Sequence, residues 1–244
     1  MIIIIKILIV YILFKIYYYQ IDLSDIKTKN QLKVCLCTMG KSENLYAKEF
    51  IEYYISLGVD HLFIYDHNDP FTEKIEEAIN NKFKEKVTIY EAQKLNINYQ
   101  RDAFTDCYQN FFIMVDMDEY LFIINDTLKH YLSDKIFDKC DFIKIHWADT
   151  NDNDLIYYDP RPLFQRFKKQ YIISNFIKTI IRGNIPGLKY WVHSPYISPT
   201  RNVTCTNDGK IIKYTNMNFE YIDEIILLLL MRNKVSKKSY YKII

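Results

Sequence analysis

Between residues 33 and 115, short apolar runs alternate with segments whose apolar residues recur at helical spacing. Strands are predicted at 33–38, 61–65, 87–90 and 111–115. Helices are predicted at 43–57, 72–83 and 99–109, and Gly58 is placed to end the first of them. The run at 111–115 is apolar throughout, which is typical of a strand buried on both faces. This alternation predicts a doubly wound α/β sheet.

The alternation changes after residue 124. Further strands are predicted at 142–147 and 163–167. The apolar run at 225–231 is far too short to cross a membrane, and we interpret it as a buried helix.

The N-terminal segment has a different pattern. Residues 2–19 are apolar except for Lys6 and Lys15, and a helix of about 20 apolar residues spans a bilayer. We therefore expect a transmembrane signal anchor at 1–20, a short polar stem at 21–32 and one domain at 33–244. A cleaved signal peptide is disfavoured because no small-residue cleavage site follows, and a buried strand is the remaining alternative. The chain is therefore predicted to be a single-pass membrane protein.

Composition limits the function. With 244 residues, 49% of them apolar and 25% charged, the chain fits an ordinary globular domain and excludes both wholesale disorder and a multi-span bundle. The formal net charge of +2 argues against nucleic acid as a partner. The five glycines form no dinucleotide-binding fingerprint.

The five cysteines include no C-x-x-C pair, which disfavours a zinc ribbon or a thioredoxin-type site. Cys35 and Cys37 share one face of a predicted strand, and we interpret them as packed core thiols. An oxidising lumen would permit bridging among the other cysteines, Cys107, Cys140 and Cys205, whose pairing the sequence leaves open. Glycosylation sequons at Asn125 and Asn202 agree with such a location.

A partial phosphate-loop pattern occurs at Gly40-Lys41-Ser42, between a strand and a helix. A phosphate loop also needs a glycine five residues earlier, where Cys35 lies within the strand. We therefore interpret this segment as a polar helix start, with Glu43 in the first turn.

A metal-binding pattern follows the strand at 111–115. Asp116 and Asp118 stand two residues apart, so in extended backbone their carboxylates share a face, and Glu119 adds a third acid. Mg²⁺ and Mn²⁺ commonly take one or two carboxylates together with substrate phosphates. The alternative is a solvated acidic turn.

Polar residues also end the other predicted parallel strands. Thr38 follows the first, and Asp66 and Asn68 follow the second. Ligands of open α/β sheets bind beyond the carboxyl ends of the strands. A nucleotide diphosphate bridged by a metal would suit Thr38, Asp66, Asn68 and Asp116.

At this point the chain resembles glycosyltransferase family 92 and its close relatives in the GT-A superfamily, which are glycosyltransferase family 2-like. The resemblance is good over residues 33–124 and looser through His146-Trp147, Arg161-Pro162, Arg166-Phe167, Lys178 and Val192-His193. The motifs that carry it are Cys37-Thr38-Met39-Gly40-Lys41-Ser42-Glu43, Phe50-Ile51-Glu52-Tyr53-Tyr54, Leu57-Gly58-Val59-Asp60-His61, Tyr65-Asp66-His67-Asn68, Tyr99-Gln100, Asp106-Cys107 and Asp116-Met117-Asp118-Glu119-Tyr120-Leu121.

The resemblance implies a GT-A type doubly wound, Rossmann-like mixed sheet that is preceded in the chain by one N-terminal transmembrane helix. It implies a Golgi-type or endoplasmic-reticulum hexosyltransferase with a lumenal catalytic domain. Such an enzyme moves a hexose, often galactose from UDP-galactose, to a glycan or glycoconjugate acceptor.

The resemblance also implies roles for single residues. Asp116 and Asp118 would hold Mn²⁺, or Mg²⁺, against the diphosphate. His193 would be either a further metal ligand or a surface-loop histidine. Glu43, Asp66, Asn68 and Gln100 would contact the nucleoside.

The acceptor side is less defined by the sequence. A base must deprotonate the acceptor hydroxyl if transfer inverts the anomeric centre. Asp149 and Asp152 are the candidates, with Asp154 nearby. The family often has Lys-Asn-Glu where this chain has Lys41-Ser42-Glu43, and 213–219 lacks the histidine of the family's C-terminal element. An inactive glycosyltransferase-like binding protein and a metal-dependent phosphohydrolase therefore remain alternatives.

Overall fold

A mixed β-sheet of nine strands forms the centre of the part of the chain described by the computed structural model. That part comprises residues 32–97, 99–107, 111–123, 126–149, 159–166, 172–183, 185, 203–205 and 226–230. The strands are β1 (Val34–Gly40), β2 (His61–Asp66), β3 (Val87–Glu91), β4 (Phe111–Met114), β5 (Glu119–Ile123), β6 (Phe142–Asp149), β7 (Ile172–Arg182), β8 (Thr204–Cys205) and β9 (Ile226–Leu230). The α-helices are α1 (Asn44–Ser56), α2 (Gln100–Asp106), α3 (Leu128–Leu132) and α4 (Leu163–Arg166).

The first half of the sheet is parallel, as the sequence predicts. β1 pairs in parallel with β2 on one side and with β4 on the other, and β3 extends the sheet beyond β2. Successive residues of β1 contribute to two separate apolar clusters, with Val34 and Leu36 in one and Cys35 and Cys37 in the other. Since side chains alternate across a sheet, both faces are covered, which confirms the doubly wound arrangement in this half.

The helix α1 packs on one of these faces. Its buried side chains recur every three or four residues along the helix, from Tyr46 and Ala47 through Phe50 and Ile51 to Tyr54. The helix ends as predicted, because Gly58 adopts a φ of 104° and the Val59 amide then bonds the Tyr54 carbonyl at 3.0 Å.

The second half of the sheet is mixed. β7 pairs antiparallel with β4 and β6, and β9 pairs antiparallel with β5 but parallel with β6. The strand order is therefore β3-β2-β1-β4-β7-β6-β9-β5, with β8 beside β6. Strands β5 and β7 were not predicted, whereas the strand at 142–147 is confirmed within β6.

Three sequence predictions about local structure are wrong. The run at 225–231 contains strand β9 rather than a helix, since a short apolar run fits either and pairing with β5 and β6 decides. The segment 163–167 contains helix α4, whose Arg166 amide bonds the Pro162 carbonyl. The helix predicted at 72–83 is replaced by two 3₁₀ turns, Ile75–Ala78 and Asn81–Lys86, because extended Asn80 caps the second.

Two further features concern the cysteines and the membrane. Cys140 and Cys205 form a disulfide, while Cys35 and Cys37 are buried in the core as predicted. No helix among the described residues is long and apolar enough to span a bilayer. The predicted anchor at 1–20 and the sequons at Asn125 and Asn202 lie outside the described residues.

Candidate functional site

The carboxyl ends of β1, β2 and β4 meet at one edge of the sheet. In the parallel registers, Gly40 pairs with Asp66 and Cys37 pairs with Met114. Asp116 therefore follows β4 beside the end of β1, in the crevice where ligands of open α/β sheets bind.

The sequence Asp116-Met117-Asp118-Glu119 forms a tight turn between β4 and β5. The Glu119 amide donates to the Asp116 carbonyl at 3.0 Å, and the Asp116 amide donates to Glu119 Oε2 at 2.8 Å. This reciprocal pair fixes the turn. The carboxylates of Asp116 and Asp118 both remain partly exposed.

Gln100 reaches this turn from the first position of α2. Its side-chain amide donates a hydrogen bond to Asp116 Oδ1. Two residues that the sequence assigned to one nucleotide site are therefore in direct contact, although 16 positions separate them in the chain.

Lys178 of β7 is a buried cation at the same turn, only 1% exposed. Its ammonium lies 3.5 Å from Asp116 Oδ2 and 3.4 Å from Glu119 Oε2. The antiparallel register, in which Ile180 pairs with Ile113, brings Lys178 just past the end of β4. Lys178 had no predicted role beyond its place in the family resemblance, and its signal is one lysine in the largely apolar run 176–181.

Glu119 is a fully buried carboxyl group in this cluster. Burial, and next the negative charge of Asp116, raise the pKa of Glu119 well above its ordinary value, while Lys178 opposes the rise. Its Oε2 accepts the Asp116 amide, and its Oε1 has no hydrogen-bond partner within the described part of the chain. Glu119 therefore stabilises the turn from the buried side, through its hydrogen bond with the Asp116 amide.

Asp66 and Asn68, predicted to contact the nucleoside, hold the neighbouring loops. The Asp66 carboxylate accepts the amides of Asn68 and Ile75, at 2.9 and 3.0 Å. The Asn68 side chain accepts the Ser42 amide at 2.6 Å and donates to Asn44 at 2.9 Å. Both side chains are buried, so these contacts connect the loop after β2 with the start of α1.

Two other predicted site residues flank this network. Thr38 is completely buried on β1, and its hydroxyl has no hydrogen-bond partner among the described residues. Glu43 is half-buried at the N-cap of α1 and makes no side-chain capping bond. Both lie at the edge that the sequence predicted.

Ser42 occupies an unfavourable backbone conformation, with a φ of 61°. Asparagine tolerates this left-handed region better than serine. We expect Ser42→Asn to raise the free energy of unfolding by up to about 1 kcal/mol in urea titrations. Ser42→Val is the opposite control and should lower it. An asparagine variant less stable than the wild type would contradict this explanation.

Gly40 lets the turn approach β1 closely. An added Cβ would overlap the sulfur of Met117 and lie 2.9 Å from Ile75 Cδ1. Because Met117 stands between Asp116 and Asp118, we expect Gly40→Ala to cost about 1–3 kcal/mol and to weaken ligand binding at the turn.

Gly58→Ala is the matched control for Gly40→Ala. Its φ of 104° penalises any side chain, yet an added Cβ would lie 3.9 Å from Lys129 Cγ, an ordinary contact outside the turn. Gly58→Ala should therefore lose stability, measured by thermal unfolding, with ligand binding unchanged by calorimetry. Equal binding losses in both variants would show that the Gly40 effect is only a stability effect.

The donor set at the turn suits a hard divalent cation, since Asp116 and Asp118 supply carboxylate oxygens. Within the described residues, no group of three histidine, cysteine or acidic side chains is arranged to hold a metal. A cation there would depend on two carboxylates plus substrate phosphates, an arrangement common for Mg²⁺. Asp116 already contacts Gln100 and Lys178, so a cation would share the Asp116 carboxylate with these two side chains.

Asp149, a predicted catalytic base, is the last residue of β6. Asp149 pairs with Leu230 of β9, which pairs with Glu119 of β5. Two strand spacings therefore separate the backbones of Asp149 and Glu119, about 10 Å. Asp152, Asp154 and His193 lie outside the described residues.

Comparison with known proteins relates the chain to one family. The sequence model of glycosyltransferase family 92 matches residues 30–243. A glycosyltransferase family 92 protein of Ricinus communis is 38% identical over 53 residues, which are 21% of this chain and 10% of that relative. This chain thus aligns with about a tenth of that relative's length.

Solved structures show a lower similarity. S. aureus TarS, residues 1–349, is 14% identical, with a TM-score of 0.38 over 62% of this chain and 47% of that one. A second structure of S. aureus TarS is 14% identical, with a TM-score of 0.32 over 55% of this chain and 24% of that one. Because the family model covers most of the sequence, the chain belongs to glycosyltransferase family 92.

Proposed function

We propose that this protein transfers a hexose from a nucleotide sugar, preferably UDP-galactose, to a hydroxyl of a glycan or glycoconjugate. The observation that carries the proposal is the convergence of Asp116, Gln100 and Lys178 at the carboxyl edge of a doubly wound sheet. Family membership supports the same reaction class.

In this proposal the donor lies across the ends of β1, β2 and β4. Glu43 borders the nucleoside, and the completely buried Thr38 lies beneath it. The buried Asp66 and Asn68 shape the pocket by fixing the two loops. Gln100 orients the Asp116 carboxylate through its amide. Preorganised polar groups of this kind stabilise developing charge without moving during the reaction.

The diphosphate would lie against the turn, where Asp116 and Asp118 would hold Mn²⁺ or Mg²⁺. When bound, that cation would act as a Lewis acid on the departing nucleoside diphosphate. Lys178 keeps Asp116 and Glu119 from repelling each other by holding a positive charge between them. Asp116 is therefore held rigidly, because one carboxylate oxygen contacts Gln100 and the other faces Lys178.

For the acceptor side, we propose Asp149 as the base that removes the hydroxyl proton, with Asp152 as the alternative. β7 pairs antiparallel with both β4 and β6, so β4 and β6 point in the same direction. Asp149, at the end of β6, therefore lies at the same edge of the sheet as Asp116. Leu230 of β9 lies between Asp149 and the turn, two strand spacings or about 10 Å apart, so the acceptor sugar would lie over this edge of the sheet.

We also propose that residues 1–20 anchor the protein in a Golgi or endoplasmic-reticulum membrane with the domain in the lumen. The Cys140–Cys205 disulfide supports an oxidising compartment.

Calorimetry of the full chain with UDP, UDP-galactose, UDP-glucose and GDP-mannose, each with and without Mn²⁺, tests the proposal. We expect Mn²⁺-dependent binding of one nucleotide sugar, followed by release of its nucleoside diphosphate when a glycan acceptor is added. Binding without transfer to any acceptor would favour the inactive binding protein. Phosphate release without sugar transfer would favour the phosphohydrolase.

A further inference from the structure

Two cysteines from different elements meet beneath the candidate site. Cys37 lies on β1 and Cys107 directly follows α2, and their Sγ atoms are 2.6 Å apart. Cys37 Sγ also lies 3.8 Å from the Ala103 carbonyl oxygen, and Cys107 Sγ lies 3.8 Å from the Tyr65 hydroxyl. Sulfur is a large atom, so thiols that merely pack together do not approach so closely, whereas a disulfide joins its sulfurs at about 2.05 Å.

We propose that Cys37 and Cys107 form a second disulfide bond in the mature protein. The chain already contains a disulfide between Cys140 and Cys205, which places its folding under oxidising conditions. The new bond would join the end of β1 to the end of α2. Gln100 begins that helix and bonds Asp116, so the bond would fasten the helix that orients the acidic turn.

The bond forms by thiol–disulfide exchange with a disulfide-carrying oxidoreductase or glutathione disulfide. Cys107 is 5% exposed and Cys37 fully buried, so the Cys107 thiolate attacks the oxidant and one thiolate leaves. The Cys37 thiolate then attacks Cys107 Sγ, forms the S–S bond and releases the second thiolate. The cysteines lose two protons and two electrons, and the oxidant's disulfide becomes two thiols.

Cys35 is the competing partner, because it shares the sheet face of Cys37 and lies near enough to Cys107 for their charges to interact. Burial raises the pKa of Cys35 to about 11, which keeps it a protonated thiol. The 2.6 Å contact belongs to Cys37, so the proposal leaves Cys35 as the single thiol.

Thiol counting on the unfolded, unreduced full chain from a secretory host tests the proposal without any variant. Two disulfides among five cysteines leave one thiol per chain, whereas the Cys140–Cys205 bridge alone leaves three. A count of three would overturn the proposal. The count does not depend on sugar transfer, so its failure and that of the proposed function are separate results.

Peptide mapping identifies the partner. Trypsin releases Cys37 in peptide 34–41 and Cys107 in peptide 102–129, and the two should appear linked without reductant and separate after reduction. Cys35→Ala, the matched control on the same strand, should retain the link, and Cys107→Ala should abolish it. A link that survives in Cys37→Ala would assign the bond to Cys35 and overturn the proposal.

Discussion

Asp118→Asn is expected to lower kcat/KM for sugar transfer by at least about 100-fold and to abolish Mn²⁺-dependent donor binding. A cation that acts as a Lewis acid supplies several kcal/mol of transition-state stabilisation, and each 1.36 kcal/mol is a factor of ten in rate. Asp118 is chosen rather than Asp116, because replacing Asp116 would also remove its contacts with Gln100 and Lys178. Replacing Asp118 therefore leaves that network in place.

Asp138→Asn serves as the matched control, since Asp138 is an exposed aspartate after a 3₁₀ turn and away from the acidic turn. It should retain the wild-type kcat/KM and Mn²⁺ dependence. Calorimetry and initial rates over a range of Mn²⁺ concentrations provide both readouts. Near-normal turnover of Asp118→Asn with unchanged Mn²⁺ dependence would show that the metal assignment is wrong.

Lys178→Met is expected to lower the free energy of unfolding by about 3–5 kcal/mol, the usual cost of removing one partner from a buried ion pair. The substitution removes the ammonium but retains an unbranched side chain of similar length. The fully buried Glu119 then has no Lys178 ammonium opposite it, so a negative charge on Glu119 beside Asp116 is no longer compensated by that residue. Chemical denaturation at neutral pH measures this loss.

The loss in Lys178→Met should depend on pH. Burial and Asp116 raise the pKa of Glu119, and Lys178 opposes that rise. Removing Lys178 should therefore raise the pKa of Glu119 in the folded state further. A carboxyl with a raised folded-state pKa destabilises the fold when ionised, and stability returns as pH falls through that pKa. The variant should therefore come closer to the wild type near about pH 5 than near about pH 8.

Lys178→Met combined with Glu119→Gln isolates the pair. The amide carries no charge, so the double variant should be more stable than Lys178→Met alone, by a coupling energy of about 0.5–3 kcal/mol. A penalty that is independent of pH and unchanged by Glu119→Gln would mean that Lys178 contributes only through packing.

Much of the parallel half of the fold was readable from the sequence. β1, β2 and β4 are short, largely apolar runs with polar residues at or just after their ends, and α1 has buried residues at helical spacing with Gly58 after its end. These patterns arise from local chain geometry, because a strand alternates its side chains and a helix repeats every 3.6 residues. The position of Asp116 at the end of a buried strand is readable for the same reason.

Local patterns in the sequence did not predict the mixed half of the sheet. Ile226–Leu230 is a run of five apolar residues that fits a buried helix or a buried strand equally, and only its pairing with β5 and β6 decides. At 72–83, one asparagine cap divided the expected helix into two 3₁₀ turns. The first outcome depends on strands that are distant in the sequence, and the second on a local cap in which the Asn80 side chain accepts the Lys82 amide.

The sequence by itself therefore determined the family, the doubly wound half of the sheet and the edge that bears Thr38, Asp66 and Asp116. Only the tertiary structure decided that Asp66 and Asn68 hold loops, that Lys178 lies buried between Asp116 and Glu119, and that Cys37 touches Cys107. The physical reason is that residue type and spacing reveal which side chains a strand or helix can bury. Which distant side chains then meet depends on strand order and register, which belong to the folded chain as a whole.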